Sequence, residues 1–282
     1  METAPLISVL IPSYNTERYV GEAIASLLAQ SFHDFECIIL DDGSTDRSEE
    51  IILHFMRWDT RIRYERHRSN EWIAKTRNDL IGLARGKYIA FLDSDDTAYP
   101  ERLLQQYTYM EAHTECGVCG SNFHIVDQAW KKLYDIINPE SDEAIRRSLA
   151  LKNPFWQNTV MIRKECFSRV WLYDRAFDVA EDLELWTRIG TCYQFHNIQE
   201  FLGTYRIHGE NSIKKRAIPM LRNTIKIHKK MKGLGYRIPW NIELFIKIRN
   251  FSFFLFPFLA PYMIQPPRLW VVLIKKIFHL WK

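Results

Sequence analysis

The chain has 282 residues, 47% hydrophobic and 26% charged, a composition that suits one large folded domain and leaves no room for a disordered or low-complexity protein. Its net charge of +4 conceals an asymmetry: residues 1–213 hold 23 Lys/Arg against 33 Asp/Glu, whereas residues 214–282 hold 15 Lys/Arg and a single acid, Glu243. Such a split marks an appended interaction element.

The predicted elements follow in chain order. Leu6 to Ile11 is an apolar strand stopped at Pro12, and Ser13-Tyr14-Asn15 turns the chain behind it. Glu17 to Gln30 carries Val20, Ala23, Ile24, Leu27 and Leu28 at helical spacing, with Asn15 or Thr16 as its cap. Phe35 to Leu40 is a second strand, ending at Asp41-Asp42-Gly43-Ser44-Thr45-Asp46. Ser44 or Thr45 is placed to cap the helix that follows. A short strand at Ile62 and Tyr64, a helix over Glu71 to Arg85, and a turn at Gly86 lead to the strand Tyr88 to Leu92. The first hundred residues thus alternate strand and helix, the pattern of a mostly parallel, helix-covered sheet. Beyond it come a helix over Pro100 to Ala112, two strands within 116–137 with a turn near Asp127, and a helix over 142–151 capped by Ser141. A strand at Thr159 to Ile162, a helix bearing Leu183, Trp186 and Ile189 on one face, a strand over Phe201 to Ile207 and a basic helix over Arg216 to Lys232 complete the list.

The strand at Tyr88 to Leu92 stops at three carboxylates, Asp93, Asp95 and Asp96. Open α/β sheets bind ligands at the carboxyl ends of their strands. If extended geometry persists, Asp93 and Asp95 point the same way. Two convergent carboxylates suit Mg2+ or Mn2+, which complete their shells with substrate phosphates. Acidic residues closing a strand in a solvated turn would read the same way, so the pair alone does not decide. Neither GxGxxG after the first strand nor GxxxxGK[ST] anywhere is present, which argues against a dinucleotide-dependent oxidoreductase and a P-loop NTPase. The five scattered cysteines and the lack of an N-terminal signal segment suit a reducing cytoplasm, and the lone Cys116-Gly117-Val118-Cys119 reads as small apolar strand residues rather than a zinc site.

Several separated segments agree: Ser8 to Asn15 (SVLIPSYN), Asp41 to Asp46 (DDGSTD), Arg77-Asn78, Ala84 to Tyr88 (ARGKY), Phe91 to Asp96 (FLDSDD), Glu181-Asp182 and Tyr205 to His208 (YRIH). Their order and spacing resemble glycosyltransferase family 2, the inverting enzymes of the GT-A fold, over about residues 5–213. The resemblance implies an α/β catalytic unit over 1–213, with a nucleotide-binding half to about residue 98 and an acceptor half over 99–213. It further implies that Pro12 and Tyr14 line the nucleotide pocket, that Asp41 accepts a hydrogen bond from a uracil ring, and that Asp93 contacts ribose or metal. Asp95 would hold a Mn2+ or Mg2+ bridging the two phosphates, His208 would complete that site or touch the diphosphate, and Asp182 would be the catalytic base. Arg77 would serve the nucleotide, with Asp42, Glu181 and Arg206 in support. One departure stands out: many members carry a glycine-rich run before the Arg77 position, whereas this chain has Glu71-Trp72-Ile73-Ala74-Lys75-Thr76.

The chemistry is explicit. A divalent ion offsets charge growing on the leaving diphosphate. A carboxylate on the opposite side takes the acceptor hydroxyl's proton. Asp182, at a helix N-terminus, is expected to stay ionised because the dipole favours its negative form. Each acid has a plainer reading: Asp41 and Asp42 as strand-end turn acceptors, Glu181-Asp182 as a helix-start signal, His208 as an ordinary loop histidine. Trp156, Trp171 and Trp186 read as core or acceptor-pocket walls.

The extension over 214–282 differs in character. Phe251 to Ile264 is uncharged and rich in phenylalanine, but it is interrupted by Pro257 and Pro261 and is too short to span a bilayer. With Leu269 to Ile274 and the lysines behind it, this pattern suits a segment lying in a membrane interface. The alternative is a helical cap folded on the catalytic unit. The expectation is a metal-dependent inverting transferase on the cytoplasmic face of the membrane. It would move a sugar from a nucleotide donor, taken as UDP-linked, to a saccharide or lipid-linked acceptor, and would bind no nucleic acid. Its rivals are a sugar-1-phosphate nucleotidyltransferase, whose glycine-rich basic signature near residue 10 is missing, and a non-catalytic nucleotide-sugar-binding or membrane-scaffold protein, for which the acidic set is unexpectedly complete.

Overall fold

A computed structural model describes residues 4–177, 179–208 and 216–255. The apolar run 269–274, most of the run 251–264 and the segment 209–213 lie outside the described residues. Strand β1 (Ile7–Ser13) is buried along its whole length, as a strand covered on both faces must be. It pairs in parallel with β2 (Phe35–Asp41) on one side and β4 (Tyr88–Phe91) on the other; β3 (Ile62–Arg66) continues the parallel set beyond β2. The helices between them are α1 (Val20–Leu28), α2 (Ser48–Met56) and α3 (Ile73–Leu83). The first two crossovers run outward from β1 and the third returns to its other side, so the strand order is β3-β2-β1-β4. The direction of winding reverses between β1 and β4, where a doubly wound sheet opens a crevice at its carboxyl edge.

The second half extends the same sheet. After β5 (Thr97–Ala98) and α4 (Arg102–Ala112) come β6 (Cys116–Val126), β7 (Lys132–Ile136), α5 (Asp142–Leu149), β8 (Met161–Arg163), α6 (Glu165–Val170), α7 (Glu181–Ile189) and β9 (Gln194–Arg206). β8 runs antiparallel to β4, and the order goes on as β8-β6-β9-β5, with β7 antiparallel to the later part of β6. Two helices follow, α8 (Ala217–Gly233) and α9 (Trp240–Leu255). Alternation along the strands divides the core in two. Ile7, Val9, Cys37, Ile39 and Ala90 meet α1, α2 and α4 on one face, while Leu10, Ile38, Ile89 and Phe91 meet α3, α5, α7, α8 and α9 on the other. Each fully buried aliphatic side chain contributes about 1.5–3 kcal/mol. Cys116 and Cys119 are buried strand residues, as expected from their spacing.

Several local expectations are corrected. Asn15 and Thr16 do not cap α1, which begins at Val20 without a side-chain cap; Asn15 is left-handed at φ 53 and turns its side chain toward the neighbouring loop. Ser44 and Thr45 do not cap α2 either, because Asp46 accepts the Ser48 N–H at the helix start. Thr159 belongs to a short 3-10 turn over Gln157–Thr159, and β9 begins seven residues before Phe201 because its first half pairs with β6. Trp186 is core, but Trp171 is 82% exposed: it stands just after α6 in a left-handed conformation that points it outward.

Candidate active site

The carboxyl ends of β1, β2 and β4 carry the candidate residues, and hydrogen bonds between loops fix their positions. Pro12 is buried within β1, and Tyr14 just beyond it is 46% exposed. Asn15 donates its N–H to Ser44 Oγ and accepts from the Thr45 N–H at 2.8 Å; Glu17 donates its N–H to Asp46 at 2.9 Å. Most of Asp41-to-Asp46 therefore stitches the loop after β2 to the loop after β1. Gly43 makes the turn at φ 79, where a Cβ would lie 2.8 Å from the Ser69 backbone. Asp41 is fully buried: its Oδ1 accepts the Ser44 N–H at 2.8 Å and its Oδ2 the Tyr64 hydroxyl at 3.2 Å. Each oxygen keeps a further acceptor site, so contact with a base ring would need the buried carboxylate to become accessible rather than a donor to yield. Asp42 accepts from the Glu71 N–H and from His67, which also reaches Asp79 at 2.9 Å. It thereby holds the loop that leads into α3.

That loop ends at Trp72, where the resemblance expected glycine. Its backbone sits at φ 69, ψ 158, a region that only glycine occupies without strain. The indole is 56% exposed, with the Arg216 guanidinium 5.2 Å from its ring centre.

β4 ends at Phe91, so strand alternation does not carry through to Asp95, and the two acids face different partners. Asp93 accepts from Arg77 at 3.3 Å. Asp95 Oδ2 lies 2.8 Å from His208 Nε2. Asp96 is buried and structural, accepting the Arg206 N–H at 2.7 Å and the Asn158 amide at 2.6 Å. Burial pushes the Asp93 carboxyl above its ordinary value; Arg77 opposes the rise and Asp95 adds to it. Asp96 is pushed up further by burial and by Asp95 and Asp93.

Arg77 joins the two halves. This buried residue of α3 pairs with Asp93 on one side and with Glu181 on the other, 104 residues away, and lies against the Phe91 and Tyr173 rings. Glu181 opens α7 beside Asp182, behind Ala180 in a left-handed conformation at φ 67. Asp182 Oδ2 accepts from the Asn153 amide at 2.6 Å, and its Oδ1 from the Leu183 N–H at 2.7 Å. The helix terminus does not set the Asp182 carboxyl alone. Burial raises its carboxyl despite Arg77, the Leu183 N–H and Asn153, because lost hydration outweighs a helix terminus at that depth. Burial likewise lifts Glu181 to about 7 against the pull of Arg77.

The sequence profile of the family described as glycosyl transferase family 2 matches residues 8–171, more than half of the chain. The chain belongs to glycosyltransferase family 2. Among its relatives, an uncharacterised glycosyltransferase, MJ1057 of Methanocaldococcus jannaschii, is 32% identical over 81% of each chain. The putative teichuronic acid biosynthesis glycosyltransferase TuaG of Bacillus subtilis is 29% identical over 82% of this chain and 90% of its own. Among solved structures, S. aureus TarS 1-349 in complex with UDP-GlcNAc superposes with a TM-score of 0.63 at 20% identity, over 78% of this chain and 66% of that one. The mannosyltransferase PcManGT of Pyrobaculum calidifontis, in complex with GDP-Man and Mn2+, gives 0.62 at 14% identity over 89% and 75%. The fold is GT-A.

The family 2 motifs thus converge on one edge of the sheet: Tyr14, Asp93, Asp95, His208, Arg77, Glu181 and Asp182. Arg206 lies beside them, fully buried, its main chain tied to Asp96. Sequence reasoning missed the Arg77–Glu181 ion pair, Asn153 as the holder of Asp182, and Tyr173 behind Arg77. The Asn153-Pro154 turn was the one visible signal, since an asparagine before proline often marks a fixed loop.

Proposed function

We propose that this family 2 enzyme moves a sugar from a UDP-linked donor to a saccharide or lipid-linked acceptor with inversion, in surface polysaccharide synthesis. The observation that carries the reading is Arg77, which binds a carboxylate of the Asp93–Asp95 loop and a carboxylate of the Glu181–Asp182 pair at the topological switch point. Donor end and base end are therefore one electrostatic unit. Tyr14, Pro12 and Asp41 border the nucleotide, and residues to about 98 form the half that holds it. Residues 99–213 carry the base and meet the acceptor.

Asp95 and His208 present one carboxylate and one imidazole to each other, and no group of three or more His, Cys, Asp or Glu able to hold a metal occurs among the described residues. This donor set fits an ion that draws its remaining ligands from substrate phosphates and water, the habit of Mg2+ and Mn2+. Such an ion would offset charge on the departing diphosphate. Asp182, held by Asn153, accepts the acceptor hydroxyl's proton as that oxygen attacks the anomeric carbon and the diphosphate leaves from the other face. The raised carboxyl makes a stronger base than an ordinary aspartate. Titration calorimetry of UDP with and without Mn2+ tests the donor site: tight binding should need both the ion and Asp95, and should vanish in Asp95→Ala. Full metal-dependent binding by that variant would remove the assignment.

The extension from residue 214 is proposed to rest on an anionic membrane surface at the cytoplasmic face. Ile242 and Ile246 of α9 pack toward the core, while Trp240, Leu244 and Ile248 form an exposed stripe on the other side, beside Lys247. Among the described residues no helix is long and apolar enough to cross a membrane. Sedimentation with anionic vesicles, weakened by Trp240→Glu and by salt, checks this placement.

A further inference from the structure

We infer that Trp130, on the β6–β7 hairpin, is a positioning residue for the metal site. Its indole covers the Arg206 guanidinium at 3.9 Å, and Tyr19 covers the same group at 4.8 Å. Glu22 of α1 pairs with Arg206 and accepts the Trp130 indole N–H at 3.4 Å. Arg206 is thus clamped between two rings and a carboxylate and is 2% exposed. The clamp bears on His208 by two routes. Tyr19 packs its other contact on the His208 ring, at 4.7 Å between centres. Arg206 is also two residues before His208, with its N–H fixed on Asp96. His208 in turn faces Asp95.

Trp130 is not placed there by convenience. Its backbone is left-handed at φ 64, a conformation disfavoured for a bulky side chain, and Asp127 enforces it by accepting the Ala129 and Lys131 N–H groups. Strain of this kind persists where surrounding structure over-determines it, and it marks sites where geometry is used. The hairpin therefore reaches across from the later half of the sheet to set the ring orientation of a ligand, as outer-shell partners do in metal sites. A guanidinium held over aromatic faces with water excluded is held strongly.

The inference rests on the reading of Asp95 and His208 as metal ligands, and the test separates the two. Mn2+ affinity is measured by electron paramagnetic resonance in the presence of UDP, on the full chain. The expected result for Trp130→Ala is a tenfold or greater weakening, with recovery in Trp130→Phe and unchanged UDP affinity without metal. Glu22→Gln, which keeps the ring, should give a smaller weakening in the same direction. Wild-type Mn2+ affinity in Trp130→Ala, or an equal loss of metal-free UDP affinity, overturns the positioning role. Unchanged Mn2+ binding in Asp95→Ala overturns the underlying ligand assignment instead.

Discussion

At the scale of single residues, the pair Glu181-Asp182 sets the pH behaviour. Burial raises both carboxyls, Glu181 to about 7 from 4.5. A base must be deprotonated, so the acid limb of kcat/KM should fall at a pH above the ordinary aspartate value, about 3.9. The stability effect has the opposite sense. A carboxyl raised by folding contributes stability that is complete below its unfolded pKa and is lost as pH rises through the folded one. For Glu181 the window runs from 4.5 to about 7. Glu181→Gln should therefore flatten the decline in Tm across that range, and superimposable Tm-against-pH curves for the two proteins would refute the raised value. The individual acids were legible as sequence motifs. Their pairings were not, because Arg77 meets Glu181 across 104 residues and no local pattern announces that contact.

At the scale of elements, the edge of the sheet opposite the site explains the Ala84-to-Tyr88 segment without chemistry. Glu36 of β2 accepts from Ser8, from the Arg85 N–H and from the Arg85 and Arg63 side chains. Burial alone would raise its carboxyl, but these donors hold it below the usual range. Gly86 lets β4 start against β1, for a Cβ there would lie 2.5 Å from the Ser8 nitrogen. Gly86→Ala should cost about 1–3 kcal/mol by overpacking, seen as a lower Tm with metal and UDP affinity unchanged. Helical spacing located α1 and α7, whose apolar stripes are buried, and continuous apolar runs located β1, β2 and β4, which are buried on both faces; the sequence reading did not include β5, α6 or α9. Capping failed where loop side chains were claimed by the neighbouring loop: Asn15, Ser44 and Asp46 serve cross-loop bonds that a single-segment reading cannot see.

At the scale of the whole molecule, the strand order β3-β2-β1-β4 puts the crevice where the motifs end; the alternation of the first hundred residues foretold the parallel sheet but not the order of its strands. The second half was less legible, since its strands pair antiparallel and parallel in turn around β6, in registers set by bulges. The two halves also differ in how far the chain must travel to close. Loop-to-loop bonds on the nucleotide edge span about thirty residues, as between Asn15 and Thr45, whereas Asp182 arrives beside Arg77 over a hundred. Closing the longer loop costs about 1 kcal/mol more entropy. That difference is small beside the burial that joins the halves: Leu183, Leu185, Trp186 and Ile189 of α7 share one core with Leu10, Ile38 and Phe91, so α7 should unfold together with β1, β2 and β4. Transfer and UDP binding are then expected to fail at the same urea concentration, and clearly separated midpoints would contradict it. Because one core carries both ends of the site, a damaged chain would lose donor capture and turnover together and would leave no idle binder to compete with the intact enzyme for substrate.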